Sequence, residues 1–261
     1  MVMLLLCACE VIKEQDRFIP VPVEVNSGRT HILLEFTGFR CVNCPTAAQD
    51  AQTLKDLYGE QLIVVALHPA SNPFTQGKYD YTCPAADSVY RFMGGAETTP
   101  FPIGNIDFCR THNDYLLDPA EWAAQLHTVM ADTVGPFLSA EATMDGATSV
   151  ITVTTYTSAE QPVNARLAIW LVEDSVHGVQ AMPDGTVNMD YIHRHMLRTT
   201  AFNSPWGAPI TLGSTIAPRH TSLTLPEGCI AEQCKIVALL LNNDYQLLQA
   251  YETHLDYGAH P

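Results

Sequence analysis

Cys41 and Cys44 are separated by two residues and lie where a buried strand is expected to end and a helix to begin. Free backbone N–H groups at a helix start stabilise negative charge, so this position lowers the pKa of the first thiol. Such a pair can exchange disulfides, with Cys41 attacking as an exposed thiolate and Cys44 resolving the mixed disulfide. The spacing therefore predicts a thiol–disulfide centre, and an inert structural disulfide is the alternative.

The apolar pattern predicts the elements that position this pair. Residues 30–36 form a β-prone run, residues 44–58 have helical spacing, and residues 62–68 form a second apolar run. A strand, a helix and a strand in this order form a βαβ unit with parallel strands. Residues 69–99, rich in Pro, Gly, Asn and Tyr, are predicted to be an insertion over the sheet, and a strand follows at 101–107.

The second half of the chain has a different pattern. A helix is predicted from Asp118, as its N-cap, to about residue 131, and Gly135-Pro136 then breaks the chain. Beyond this break, runs that alternate with period two predict strands, and a hairpin is predicted over residues 235–255. Only one helix is expected there, near residues 191–197. These features predict an antiparallel β-sandwich.

The surroundings of the cysteine pair resemble the thioredoxin superfamily at two further positions. Glu35 lies six residues before the first cysteine, where thioredoxins have a buried carboxylate, which implies that it takes and returns the resolving thiol's proton. Pro102 stands where the superfamily has a cis-proline, which implies a grip on an extended peptide. The alternatives are a Glu35 that faces water and a trans Pro102. Arg40 and Asn43 depart from the usual motif and do not reveal the redox direction.

Together these patterns predict the fold class and the domain boundaries. The expected fold is an α/β thioredoxin-like N-terminal domain followed by an all-β immunoglobulin-like antiparallel sandwich. A signal remnant, lipobox and tether are expected over 1–20. The thioredoxin-like domain is expected over 21–136, with its insertion at 69–99, and the sandwich over 137–261.

Four further cysteines are candidates for structural disulfides. Cys229 and Cys234 flank a short loop that can close readily, and Cys83 and Cys109 flank the insertion, which their disulfide would pin near the first pair. A zinc site that combines Cys83 and Cys109 with the first pair is disfavoured, because their spacing is not that of a metal knuckle.

The N-terminus is typical of an exported protein. An apolar run over residues 1–6 leads into Leu6-Cys7-Ala8-Cys9, which resembles the lipobox of bacterial lipoproteins and implies lipidation of Cys9. The run is too short to span a bilayer and lacks the usual positive charges, so an incidental buried strand is the alternative. Eight cysteines also favour an oxidising compartment.

Composition excludes one class of function. With 13 Lys+Arg against 28 Asp+Glu, the chain has a formal net charge of −15 and lacks the basic face that nucleic-acid binding requires. No cofactor is expected, because the two thiols would themselves be the redox centre. No metal is predicted either, since His193 and His195 would point to different faces of the expected helix and are better explained by packing.

A narrower resemblance covers nearly the whole chain. It is carried by residues 35–45, 171–174 with 179–180, 190–198 and 248–250. These blocks are similar to the family of twenty-eight-kilodalton outer membrane proteins (Omp) of Bacteroidota, which join a lipoprotein tether, a thioredoxin-like domain and a β-sandwich. The resemblance implies a lipid-anchored protein of the outer membrane, on its periplasmic or cell-surface face.

Two functions are consistent with these features. One is thiol–disulfide exchange on exported proteins or peptides, with Cys41 as nucleophile, Cys44 as resolver, Glu35 as proton relay and Pro102 as substrate grip. The other is a non-enzymatic accessory, adhesion or complex-forming lipoprotein with outer-membrane protein partners, in which the fold is a scaffold.

Overall fold

A computed structural model describes residues 28–257 of the chain. The predicted lipidation site, Cys9, and the predicted tether lie outside these residues. The helices are α1 (Cys44–Tyr58), α2 (Pro84–Phe92) and α3 (Pro119–Val129). The strands are β1 (His31–Phe36), β2 (Leu62–Leu67), β3 (Ile103–Ile106), β4 (Phe137–Asp145), β5 (Val150–Ser158), β6 (Val163–Glu173), β7 (Val176–Ala181), β8 (Val187–His193), β9 (Met196–Thr200), β10 (Ala208–Leu212), β11 (Ala217–Thr224), β12 (Cys234–Leu241) and β13 (Leu247–Asp256).

The predicted strand–helix–strand unit is confirmed. β1 and β2 are parallel neighbours, with Leu33 opposite Val64, and every residue of both strands is buried. Continuous apolar runs of this kind are typical of strands that are covered on both faces. α1 connects the two strands and buries Ala47, Ala51 and Leu54. The unit therefore places the start of α1 at the carboxyl ends of β1 and β2.

β3 and α3 complete the N-terminal half. β3 is antiparallel to β1, with Ile103 opposite Phe36. The Asp118 side chain accepts a hydrogen bond from the Ala120 N–H, and the Glu121 side chain accepts one from the Asp118 N–H. This capping box forms the helix start that the sequence predicts.

One continuous mixed sheet runs through both halves of the described chain. Its strand order is β11-β5-β4-β13-β12-β6-β9-β2-β1-β3, and β10 also pairs with β6. β9 pairs with β2, where Met196 lies opposite Ala66, and with β6 on its other side. The predicted fold, an α/β thioredoxin-like domain followed by a separate immunoglobulin-like antiparallel sandwich, is therefore wrong. Periodicity identifies individual strands, but it does not report which distant strands pair.

The largest core cluster is also shared between the halves. It combines Phe36 and Leu67 from the N-terminal half with Trp170 and Val237 from the C-terminal half. Trp170, on β6, is fully buried, and its ring N–H donates to the Pro205 carbonyl at 2.8 Å. Burial of a large aromatic ring with its polar atom satisfied contributes strongly to stability. The halves thus fold around common apolar contacts.

β13 lies in the interior of this sheet, between β12 and β4. It is antiparallel to β12 and parallel to β4, which also departs from the predicted purely antiparallel arrangement. Its Gln249 side chain accepts a hydrogen bond from the Thr30 N–H at 2.7 Å and donates one to the Gly28 carbonyl at 2.8 Å. β13 therefore joins the beginning of the described chain to the middle of the sheet.

The prediction of a helix near residues 191–197 is wrong. β8 runs through Tyr191 to His193, and β9 begins at Met196. His195, between them, has a φ of +54°, which turns the chain from one strand to the next. The pairing of β8 with β7 and of β9 with β6 decides this region, because tertiary contacts override weak local helix propensity.

Candidate functional site

The Cys41–Cys44 pair forms a disulfide at the start of α1, with 5.4 Å between its Cα atoms. α1 begins at Cys44, and Asn43 is its N-cap residue. Both cysteines are only 1% exposed and belong to the largest core cluster. The predicted position between strand and helix is confirmed, but the prediction that Cys41 is exposed is wrong.

A hairpin of β7 and β8, called the covering hairpin below, is hydrogen-bonded to the loop that carries Cys41. The Ala181 N–H donates to the Phe39 carbonyl at 2.8 Å. The Gln180 side-chain amide donates to the Cys41 carbonyl at 2.9 Å and to the Gly38 carbonyl at 3.4 Å. The hairpin is therefore hydrogen-bonded directly to the loop that contains Cys41, which is the loop that a thiol partner would have to approach.

Tyr81, from the insertion, holds the other side of the covering hairpin. Its hydroxyl accepts a hydrogen bond from the Val179 N–H at 2.8 Å, and its ring packs on His193 with 4.9 Å between centroids. Gly178 lies so close to the Tyr81 hydroxyl that a Cβ atom there would collide with it. The absence of a side chain at this position is what allows the hairpin to approach.

Glu35 lies on β1, beneath the covering hairpin. Its side chain is 3% exposed, so the alternative that it faces water is wrong. Burial, with the nearby charge of Asp50 as a smaller cause, raises the pKa of Glu35 from 4.5 to about 8. The carboxyl group is therefore mostly protonated at neutral pH.

Two buried histidines lie close to Glu35. His68 follows β2, His193 ends β8, and their ring centroids are 5.8 Å apart. Burial lowers the pKa of His68 to about 3, with smaller contributions from His193 and Arg198, and burial lowers the pKa of His193 to about 4. Both rings are therefore neutral at physiological pH.

A cavity of about 320 Å³, called the hairpin cavity below, lies between α1, the ends of β1 and β2, and the covering hairpin. Glu35, His68 and His193 line its interior, and Cys44 also contributes to its wall. The exposed Arg194 also contributes to its lining. The structure therefore brings the predicted residues Glu35 and Cys44 to one space.

Pro102 occupies the same end of the sheet without lining the hairpin cavity. The Phe101–Pro102 bond is cis, as the sequence predicts. Pro102 directly precedes β3, beside the end of β1 from which the chain continues to the disulfide. The Phe101 ring stacks on Phe74 at 5.9 Å and meets Tyr90 edge-on. These contacts fix the backbone around the proline.

The sequence of this chain matches the model of a protein family. Residues 95–255, more than half of the chain, match the family of outer membrane protein Omp28. The chain belongs to the Omp28 family. Membership supports an outer-membrane location for this Omp28 protein.

Two solved structures resemble the Omp28 chain in fold. HBP35 of Porphyromonas gingivalis is 15% identical with a TM-score of 0.67, and the match covers 89% of this chain and 78% of that one. A protein of Agrobacterium tumefaciens is 12% identical with a TM-score of 0.52, and the match covers 88% and 96%. Identities this low show similarity of fold alone. No curated protein matches the chain in sequence.

Two further findings concern membranes and metals. Within residues 28–257 of the Omp28 chain, no helix is long and apolar enough to cross a membrane. In the same range, no group of three or more His, Cys, Asp or Glu side chains is arranged to hold a metal ion.

Cys83 and Cys109 are free thiols, so the predicted disulfide between them is wrong. Cys83 is buried in the largest core cluster at the N-cap of α2, whereas the Cys109 thiol donates to the Asp107 carbonyl at 3.5 Å. Burial raises the pKa of both thiols, that of Cys109 to about 11. Each thiol is therefore held in its own environment as the protonated form.

Cys229 and Cys234 are also free thiols, in contrast to the predicted disulfide, but they contact each other. The Cys234 thiol is hydrogen-bonded to Cys229, which lowers the pKa of Cys229 and raises that of Cys234. Cys229 is also the less buried of the two. A disulfide between them is therefore still a proposal.

Treatment of the folded protein with oxidised glutathione is expected to join Cys229 to Cys234. The Cys229 thiolate attacks glutathione disulfide and releases one glutathione, and Cys234 then displaces the second. Closing this short loop should stabilise the protein by about 2 kcal/mol. Peptide mapping by mass spectrometry measures the bond. Cys83→Ser should leave the reaction unchanged, and persistence of both thiols would contradict the expectation.

The covering hairpin is the part of the site that the sequence analysis missed. Its strands flank Pro183-Asp184-Gly185, a turn sequence between two alternating runs, and this was the available signal. The Asp184 side chain accepts hydrogen bonds from the Thr186 N–H and hydroxyl, and Gly185 has a φ of +82°. His68 had no local signal, because its role depends on contact with a strand far along the chain.

Proposed function

We propose that this protein is a non-enzymatic, complex-forming protein of the outer membrane in which Cys41–Cys44 is a structural disulfide. The observation that supports this is the burial of both cysteines, together with the bond from the covering hairpin to the Cys41 carbonyl. A disulfide that exchanges with a protein has to offer one sulfur to an incoming thiolate. A disulfide enclosed in this way instead fixes the loop before α1 to the helix start.

The proposed partners are other proteins of the outer membrane. The formal net charge of −15 disfavours nucleic acid as a partner. Attachment through a lipid at Cys9 is part of this proposal, as is a periplasmic or cell-surface orientation. The continuous sheet then serves as a rigid scaffold that presents loops to partners.

Thiol–disulfide exchange on exported proteins is the second candidate function, because Glu35 and Cys44 share the hairpin cavity. A carboxyl group with a pKa of about 8 can exchange a proton with a thiol near neutral pH. In this function the partner thiolate forms a mixed disulfide with Cys41, and the released Cys44 thiolate takes a proton from Glu35. The covering hairpin has to move before that attack.

The rate of reduction distinguishes the two functions. Reduced glutathione is expected to leave the disulfide of the native protein intact, so that alkylation labels Cys41 and Cys44 only after unfolding. Gln180→Ala removes an amide that bonds the hairpin to the cysteine loop, and it should speed reduction about tenfold. Gln161→Ala, at an exposed loop position, is the matched control and should leave the rate unchanged.

Trapping with Cys44→Ser tests the second candidate directly. In the structural function, the remaining Cys41 captures no exported protein, since the covering hairpin blocks its approach. Recovery of specific mixed disulfides through Cys41, or equilibration of the wild-type pair with glutathione in the native state, would overturn the proposal in favour of exchange.

A further inference from the structure

Four buried polar atoms around the hairpin cavity lack a hydrogen-bond partner among residues 28–257. They are Oε1 of Glu35, both ring nitrogens of His68, and Nε2 of His193. Each of these side chains is more than nine-tenths buried. A buried polar atom without a partner costs about 1–3 kcal/mol, and native proteins have few of them. Their grouping around one cavity indicates that the cavity receives a molecule that satisfies them.

The size and walls of the hairpin cavity fit a small molecule. Its volume of about 320 Å³ is that of roughly ten non-hydrogen atoms, if each takes the ~30 Å³ of a liquid water. The apolar part of the cavity wall includes the side chains of Ala51, Val64 and Ala66. Ligand sites commonly combine apolar walls with a few convergent polar atoms in this way.

The charges inside the hairpin cavity favour an uncharged occupant. Glu35 is protonated, and His68 and His193 are neutral, because burial disfavours the charged form of each. The nearby charged groups, Asp50 and Arg194, are exposed to solvent. An ion that entered the interior would lose hydration without gaining a buried counter-charge.

The same groups specify the hydrogen bonds that an occupant has to make. A protonated carboxyl group offers an O–H donor and a carbonyl acceptor, and a neutral imidazole offers one N–H donor and one nitrogen acceptor. A primary amide carries an N–H donor and a carbonyl acceptor side by side. It can therefore bond Glu35 and a histidine at once without bringing a charge.

We propose that the hairpin cavity is a binding site for a small, uncharged molecule bearing a primary amide, held by Glu35, His68 and His193. The site does not depend on whether Cys41–Cys44 is structural or exchanges with partners, because the disulfide makes no bond to the ligand. The bound amide satisfies polar atoms that the protein leaves unpaired.

Three probes of nearly equal size test this proposal at pH 7: propionamide, propionate and propylammonium. Titration into the full chain is followed by the NMR signals of the His68 and His193 rings. Propionamide should shift these signals saturably, with a Kd on the order of 1–10 mM for so small a ligand, and both ions should bind at least about tenfold more weakly. Equal or tighter binding of either ion, or no saturable shift with propionamide, would overturn the proposal.

Two variants test whether propionamide binds in the hairpin cavity. His68→Phe keeps a ring of similar size but removes both nitrogens, so it should weaken propionamide binding about tenfold, as read from the His193 signals. His220→Phe, at an exposed position on β11, should have no effect. Unchanged binding to a folded His68→Phe variant would contradict the proposed site. If that variant does not fold, the three-probe comparison on the wild-type protein decides.

Discussion

Replacing Glu35 with glutamine is expected to stabilise the protein progressively, relative to wild type, as the pH rises from about 4.5 to about 8. The native state keeps the Glu35 proton up to a pKa of about 8, whereas the unfolded chain releases it near 4.5. Wild-type stability therefore falls through this interval and levels off above it. The accumulated difference is on the order of 5 kcal/mol, at about 1.4 kcal/mol for each unit of pKa.

Urea unfolding at a series of pH values measures this effect as the difference between the variant and the wild type. The difference isolates Glu35 from His68 and His193, whose lowered pKa values make stability fall as the pH drops below about 6.5. Glu141→Gln, at an exposed position, is the control for the loss of a carboxylate at the surface. A pH-independent difference for Glu35→Gln would show that this carboxyl group ionises normally in the folded protein.

Separating the chain after residue 136 is expected to leave neither fragment folded on its own. The cut keeps the pairing of β1 with β2 and β3 on one fragment, but it removes β9 from β2 and breaks the hydrogen bond from the Ala66 N–H to the His195 carbonyl. It also divides the largest core cluster, so that Phe36 and Leu67 lose their contacts with the Trp170 side of the core. Exposure of this apolar surface should remove most of the net stability, which is small for any domain.

Circular dichroism and thermal unfolding of fragments 28–136 and 137–257 test this expectation. Each fragment alone should lack a cooperative transition, and an equimolar mixture should recover one. The intact chain is the reference. Cooperative unfolding of either fragment alone would instead support the predicted boundary near residue 136 as a division between autonomous units.

Local patterns predicted individual elements better than they predicted the architecture. The βαβ unit, the Asp118 cap and the hairpin of β12 and β13 depend on neighbours in sequence, and the structure has all three. The pairing of β9 with β2 joins residues that are far apart along the chain, at Ala66 and Met196. β2 is apolar and buried throughout, and β9 is only five residues long, so neither strand has an alternation that would indicate its neighbour.

The candidate site likewise combines features that the sequence predicts with features that depend on distant parts of the chain. The disulfide at the start of α1 follows from the spacing of Cys41 and Cys44, whereas a buried Glu35 and a cis bond before Pro102 were implied by the resemblance to the thioredoxin superfamily. The burial of Cys41 does not, because the hairpin that covers it begins at residue 176. The neutral state of His68 likewise arises only when the folded chain removes water from its ring.

The interior position of β13 has a consequence for export. A protein of the outer membrane first crosses the inner membrane, and a chain that emerges N-terminus first exposes β4 and β12 before residues 247–256 arrive to lie between them. During this delay both strands have open edges, which readily pair with other chains. The sheet between β4 and β12 therefore closes only after residues 247–256 have arrived.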